Sequence, residues 1–326
     1  LLPPGPAWDE TQPPILAQQL ALARIRQGRR VGFLTDAFAL EAMARAVIRA
    51  LCERSEISGR AGTLHFIGTD QLDCTSMTDE LPVHWLSAEQ SNSSLIIGDK
   101  AMVKLIRKVF PGVHPEVEMT RYLTKVGYGN TAPLLGEVAR TAPDGSRYTL
   151  ILVQGAIRNQ GDAWTWMLTN LRRGLDEVLV TGDEEEGAAD QFRPMIDFAG
   201  TVGQRLGELH VALSQPTDDP DFAPVRATGR DVDAWREAVT RQIETAHDIL
   251  SEEKDNIEPD LRGLVQPLID RREGVLRAAA RLAEAGDGTL MTRHHGDFHL
   301  GQILVSESDA YIIDFEGEPA RDLAER

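Results

Sequence analysis

Positive charge is the scarcest resource of this 326-residue chain: 34 lysines and arginines face 51 aspartates and glutamates, a formal charge of -17. Such a chain has no broad positive field with which to replace the counterions of a nucleic-acid backbone, so no nucleic-acid partner is expected and a nucleotide would need a local basic pocket. Cysteine is nearly absent. Cys52 and Cys74 are the only two; they form no metal-ligand spacing and nothing resembling a disulfide framework, which points to a reducing cytoplasm. No apolar run approaches the roughly 20 residues that cross a bilayer, and the opening LLPPGPAWDE lacks the basic flank of a signal peptide, so no membrane association is expected. There is no internal repeat or low-complexity segment. The first residue is not Met, and the closing ARDLAER reads as a helix beginning, so both termini are expected to be cut from something longer.

What is present is a chain long enough for two compact lobes. Residues 1 to about 19 are Pro-rich and read as irregular; Leu20 to Arg26 and Arg30 to Leu34 form a hairpin around Gln27-Gly28. Asp36 can cap a helix whose Leu40, Met43, Val47 and Leu51 share one face, and a short strand follows at Leu64 to Ile67. This makes an α+β cap over 1–78. Val83 to Leu86, Ser94 to Ile97 and Ala101 to Ile106 form a three-stranded meander, followed by a helix after Pro115 and a buried strand at Tyr148 to Val153. Strand, strand, strand, helix, strand is the order of a kinase small lobe, assigned to 79–157. The remainder, 158–326, reads as a mainly helical lobe interrupted by the acidic stretch TGDEEEGAAD, a solvated connection. Its amphipathic stripes, through Phe198 to Leu213 and Trp235 to Leu250, read as core, and periodicity alone accounts for His210 and Trp235.

Chemistry concentrates in RHHGDFHLGQILVSESDAYIIDFEGEP, residues 293 to 319. Phosphoryl transfer needs a carboxylate to orient and deprotonate the attacking hydroxyl, and oxygen ligands to hold Mg²⁺ against the phosphates. Asp297 supplies the first, Gln302 and Asp314 the second. The short strands Ile303 to Val305 and Tyr311 to Ile313 flank a Ser-Glu-Ser-Asp turn that can bring Gln302 beside Asp314. His294, His295 and His299 are poor candidates for a zinc cluster, since hard oxygen donors sit beside them and no cysteine joins them. His295 reads instead as a buried brace for the catalytic loop. Upstream, Lys104 emerges from a strand inside an apolar stretch, where an unpaired ammonium would be costly; Glu118 on the following helix is its expected partner, aiming it at the α- and β-phosphates of a nucleotide. The loop AEQSNSS occupies the place of a phosphate loop without any glycine, so Ser91, Asn92 and Ser93 are candidate phosphate contacts, with an ordinary hairpin loop as the alternative. Backbone groups near Gln154 and Ala156, in the connection between lobes, can bond an adenine edge.

These segments resemble a known family. AEQSNSS, NQGDAW, HHGDFHLGQIL and IIDFEGEPARDLAER together are similar to bacterial maltokinases, particularly the kinase part of trehalose synthase/maltokinase fusion proteins, over about residues 85 to 326. Aminoglycoside and choline kinases share the fold but usually carry Asn where this chain has Gln302. The resemblance implies a bilobal, protein-kinase-like α+β fold with a β-rich N-lobe and a helical C-lobe, here partial, because the family continues past DLAER through further helices. It implies transfer of the γ-phosphate of ATP, with Mg²⁺, to the anomeric hydroxyl of maltose in trehalose and glycogen metabolism, and possible association with trehalose synthase. Asp162, Trp164, His299, Glu316 and Arg321 are the residues it would place on the acceptor side; Asp162 could equally cap the next helix and Trp164 could be core. The competing classes are a non-catalytic kinase-like module regulating a fused partner, and an aminoglycoside-type phosphotransferase.

Overall fold

The computed structural model describes residues 4–9, 15–86, 92–181, 191–254 and 256–317. These fall into two compact units, one built from the chain up to Leu209 and again from His295, the other from His210–His294.

The first unit opens with β1 (Pro4–Trp8) and the short α1 (Ile15–Gln19), where an irregular segment was expected, followed by β2 (Ala21–Gln27) and β3 (Arg30–Asp36). The strand order β1-β3-β2 leaves β1 at an edge, the position in a sheet that tolerates Pro4 and Pro6 with their missing N–H groups. Asp36 does cap, but it caps the 3₁₀ turn Ala37–Ala39 by accepting from the Phe38 N–H at 2.9 Å; α2 (Glu41–Glu53) starts after it.

A seven-stranded antiparallel sheet follows, made of β4 (Glu56–Gly59), β5 (Gly62–Gly68), β6 (Val83–Trp85), β7 (Asn92–Ile97) and β8 (Ala101–Ile106), then, after α3 (Pro115–Val126), β9 (Leu134–Thr141) and β10 (Arg147–Gly155). Its order is β4-β5-β9-β10-β8-β7-β6. The strand foreseen in the cap is therefore continuous with the meander.

Both faces of this sheet are covered, which is why β10 reads as an uninterrupted apolar run rather than an alternating one. Ile151 and Val153 join Val103, Leu105, Leu95 and Leu51 of α2 in one core, while Leu152 joins Leu134 and Val117 of α3 in another. Register then decides the face of every polar residue. Leu152 stands opposite both Lys104 and Glu137, and Lys104 opposite Ser94, so this row lies on the α3 side; Gln154, Met102 and Ile96 form the next row along the same face.

Cys52 and Cys74 are joined in a disulfide, with Cα atoms 5.8 Å apart, which corrects the reading that they form no disulfide framework and removes the ground it gave for a reducing compartment. The end of β5 passes so close to the last turn of α2 that a Cβ on Gly68 would lie 2.6 Å from the Leu51 carbonyl oxygen. That approach carries the following turn onto Cys52, and a separation of 22 residues gives no hint of it.

The first unit continues with α4 (Ala163–Thr181) and most of α5 (Arg193–Leu213), and closes with the hairpin β13 (Ile303–Ser306) and β14 (Asp309–Ile312). Of the acidic stretch at 181–190, residues 182–190 lie outside the described residues. The second unit holds β11 (Val225–Arg226) paired with β12 (Leu290–Met291), and the helices α6 (Gly229–Glu252), α7 (Pro259–Asp270) and α8 (Arg272–Glu284). Thr228 and Asp231 close a reciprocal capping box at the start of α6. Among the described residues no helix is long and apolar enough to cross a membrane.

Candidate active site

Lys104 is the centre of the site. Alternation along β8 buries Val103 and Leu105 against α2 and turns Lys104 to the opposite face, where only 4% of it is exposed. Its Nζ donates to Glu116 Oε2 at 2.8 Å and to Asp314 Oδ1 at 2.8 Å, and lies 2.9 Å from Glu316 Oε1. The partner on α3 is thus Glu116, which corrects the expectation of Glu118. On a helix, positions 116, 119, 120 and 123 share one face; Met119, Thr120 and Leu123 are buried there with Glu116, which is 1% exposed. Glu118 is rotated away from that row and only half-buried.

Burial alone would depress the Lys104 ammonium, but the carboxylates of Glu116, Asp314 and Glu316 outweigh it and hold it well above its ordinary value. Burial pushes Glu116 up to about 7, against the pull of Lys104 and with the help of Asp314 and Glu316. Three carboxylates around one ammonium leave an excess of negative charge, in a cluster whose ligand oxygens all lie within 4.8 Å of one another.

Asp314 reaches Lys104 from the end of the β13–β14 hairpin, with its backbone in the left-handed region (φ 67°), a conformation that costs a non-glycine residue energy and needs its surroundings to enforce it. They do so from three sides. The Ile312 N–H donates to the Asn130 carbonyl (2.8 Å), the Ile313 N–H to the Gln302 carbonyl (3.0 Å), and His295 Nε2 to the Ile313 carbonyl (2.8 Å). At the far end of the hairpin, Asp309 accepts from Arg205 Nε and Nη2 at 2.8 and 3.0 Å and from Asn130 Nδ2 at 3.2 Å.

His295 is the brace foreseen for the catalytic loop. It is buried between Phe298 and Phe315, and its Nδ1 accepts from the Asp297 N–H at 3.4 Å. Burial holds its pKa below the ordinary value, in spite of the Ile313 carbonyl and the nearby Asp314 and Asp297. An imidazole kept neutral in the folded state contributes stability that is complete above its unfolded pKa near 6.5 and is lost as pH falls through the folded value. His295→Gln should therefore flatten the drop in stability between about pH 7 and pH 5.5 relative to the unsubstituted protein, as read from paired urea denaturation curves; parallel pH profiles for the two would refute the bracing role.

A cavity of about 360 Å³, within the size range of small-ligand sites, opens beside Lys104. Ile96 and Met102 from the sheet and Leu304 and Ile313 from the hairpin supply apolar walls; Gln154 to Ile157 run along its border, and Lys104, Glu116, Gln302 and Asp314 supply the polar side. The expected residues divide accordingly. Gln302 and Asp314 come together here. The Ala156 N–H is taken by the Lys100 carbonyl at 3.0 Å, so Ala156 can offer a nucleobase its carbonyl. Asn92 is buried and donates to Glu316 Oε1 at 2.6 Å, whereas Ser93 Oγ is bound by Arg107 at 3.0 Å. Ser91 and Arg321 lie outside the described residues.

Asp297, 37% exposed in its side chain, stands outside the cavity lining, 3.9 Å from the half-exposed His299. Of the residues assigned to the acceptor side, Asp162 caps α4 by accepting from the Thr165 N–H at 2.9 Å, Trp164 is 57% exposed, and Glu316 belongs to the Lys104 cluster. The donors around Asp314 are all oxygens, the set that suits Mg²⁺ and excludes softer metals; Asp314, Glu316 and the cavity-lining Gln302 are the residues that would hold it.

A strand lysine paired with a helix glutamate and bonded to a hairpin-borne aspartate, at the edge of an apolar slot, belongs to a protein-kinase-like α+β fold. The solved structure of a glucosamine kinase in complex with glucosamine, ADP and inorganic phosphate superimposes on 93% of this chain and 62% of its own, with a TM-score of 0.61 at 19% identity. In sequence, the chain is 27% identical over 234 residues to a glucosamine kinase of Mycolicibacterium smegmatis, covering 72% of this chain and 51% of that one, and 27% identical over 242 residues to a glucosamine kinase of Streptacidiphilus jiangxiensis, covering 71% and 47%. The chain spans about half the length of these curated relatives. No protein-family model matches it.

Proposed function

We propose that this chain carries the nucleotide-binding and phosphoryl-transfer machinery of an ATP-dependent sugar kinase. The observation that supports this most directly is the convergence of Lys104, Glu116 and Asp314 at the rim of an apolar slot. A nucleobase fits between the apolar walls, and the Lys104 ammonium then faces the phosphates. Mg²⁺, held by Asp314 with Gln302 and Glu316, neutralises charge on the phosphates when bound. Asp297 orients the acceptor hydroxyl and takes its proton.

The acceptor we favour is glucosamine. The two curated relatives are glucosamine kinases, and a net charge of -17 attracts an aminosugar, which is cationic at neutral pH. Maltose is the second reading, supported by the similarity of HGDFHLGQ and DFEGEPA to maltokinases.

The test is ADP release by the protein with ATP and Mg²⁺ across glucosamine, maltose, glucose, trehalose and an aminoglycoside, with the product mass measured. Release stimulated by one sugar and a product heavier by one phosphoryl group are expected. Nucleotide binding without release for any acceptor would instead identify a regulatory kinase-like module, and release driven by the aminoglycoside alone would identify an antibiotic-type phosphotransferase.

A further inference from the structure

Two polar side chains that line the cavity are not used by the phosphoryl-transfer chemistry, Asn159 and Gln154; Asn159 is committed to backbone, donating to the Ile157 carbonyl and accepting from the Gly161 N–H, which leaves Gln154. Gln154, the last but one residue of β10, is buried and lies on the α3 side of the sheet in register with Met102. Its neighbours Ile151 and Val153 face the opposite core, so alternation turns Gln154 toward the slot that it lines with Ile96 and Met102. Its Nε2 donates to Thr120 Oγ1 of α3 at 3.2 Å. Among the described residues the carboxamide oxygen has no hydrogen-bond partner, and it is not sealed from solvent either. It therefore opens onto the cavity, while the NH₂ group is turned to Thr120.

We propose that Gln154 reads the nucleobase and makes the site select adenine over guanine. This rests on the nucleotide-binding reading above and adds to it a base specificity and the residue that determines it. With the base between the apolar walls and the phosphates toward Lys104, its six-position edge meets the end of β10. Adenine presents an N–H donor at that position and guanine a carbonyl oxygen. The Gln154 oxygen accepts from the first and confronts the second, lone pair against lone pair. A buried acceptor left facing another acceptor loses its hydrogen bond to water without replacement, which is enough for about tenfold discrimination or more. In the structure Thr120 Oγ1 accepts from the carboxamide NH₂ group, which leaves the oxygen as the atom that the base meets.

Binding of fluorescent ADP and GDP by the full chain tests this without any acceptor. ADP should bind about tenfold tighter than GDP or better. Gln154→Met, which keeps the volume and removes both polar atoms, should bring the two affinities within about threefold, chiefly by weakening ADP. Thr120→Val, which removes the anchor and leaves the reader in place, should narrow the ratio in the same direction and serves if the first variant does not fold. An undiminished preference for ADP in Gln154→Met overturns the proposal while leaving the nucleotide site standing. A preference for GDP in the unsubstituted chain that Gln154→Met abolishes also overturns it, since the carboxamide would then present its NH₂ group. Failure of both nucleotides to bind overturns the nucleotide reading together with the base assignment.

Discussion

Replacing Asp297 with asparagine should lower turnover by about 10²- to 10⁴-fold, the span that general-base catalysis contributes, while leaving ADP affinity close to its original value. The two halves of this expectation come from two features of the structure. Asp297 is held by its backbone, through the Asp297 N–H to His295 Nδ1, and its side chain remains 37% exposed, with His299 Nε2 no nearer than 3.9 Å. Such a carboxylate is fixed in position yet open to an incoming hydroxyl. It also lies outside the lining of the cavity beside Lys104, so removing its charge takes nothing from that cavity or from the Lys104 contacts. Asparagine keeps the shape and the loop but accepts a proton far less readily. Steady-state turnover at saturating ATP, together with ADP titration of both proteins, checks the expectation. An equal loss of ADP affinity at unchanged turnover would move Asp297 from the acceptor side to the nucleotide side.

The placement of Gln302 beside Asp314 was legible in the sequence because the residues that bring them together are local. The interval from Asp297 to Gln302 and the two short strands up to Asp314 fall within 18 residues, and a hairpin is the one simple way to fold them. His295 was legible for the same reason. The partner of Lys104 was not. Met119 and Leu123 already marked the buried face of α3, and stepping back three residues from Met119 along that face leads to Glu116, whereas Glu118 lies off it. The signal was present, but Pro115 beside Glu116 draws attention to a helix start rather than to a buried anion. Glu316 and Asn92 could not be placed by such means. They are 224 residues apart, and only the return of the chain after the hairpin brings Glu316 to Lys104 and to Asn92. The strand β1 was obscured by its prolines, which are acceptable because, among the described residues, nothing pairs with its outer edge.

Lys104 offers the sharpest separation of fold from function. Lys104→Met should leave Glu116, Asp314 and Glu316 crowded together without a cation, two of them at most 17% exposed in their side chains, and breaking a buried ion pair from one side costs about 3–5 kcal/mol. Stability and ADP affinity should fall together. Glu116→Gln is milder, because Asp314 and Glu316 still hold the ammonium at 2.8 and 2.9 Å, and Glu118→Gln should be milder again. The double variant Lys104→Met/Glu116→Leu removes the central pair and fills its place with apolar atoms, an exchange that is often neutral for stability. It should recover most of the stability lost in Lys104→Met and none of the ADP affinity, since no cation then faces the phosphates. Urea denaturation measures the first quantity and ADP titration the second. If the double variant regained both, Lys104 would be a structural lysine whose place beside the cavity is incidental; if Glu118→Gln were the more damaging of the two glutamate substitutions, the pairing across β8 and α3 would have to be redrawn.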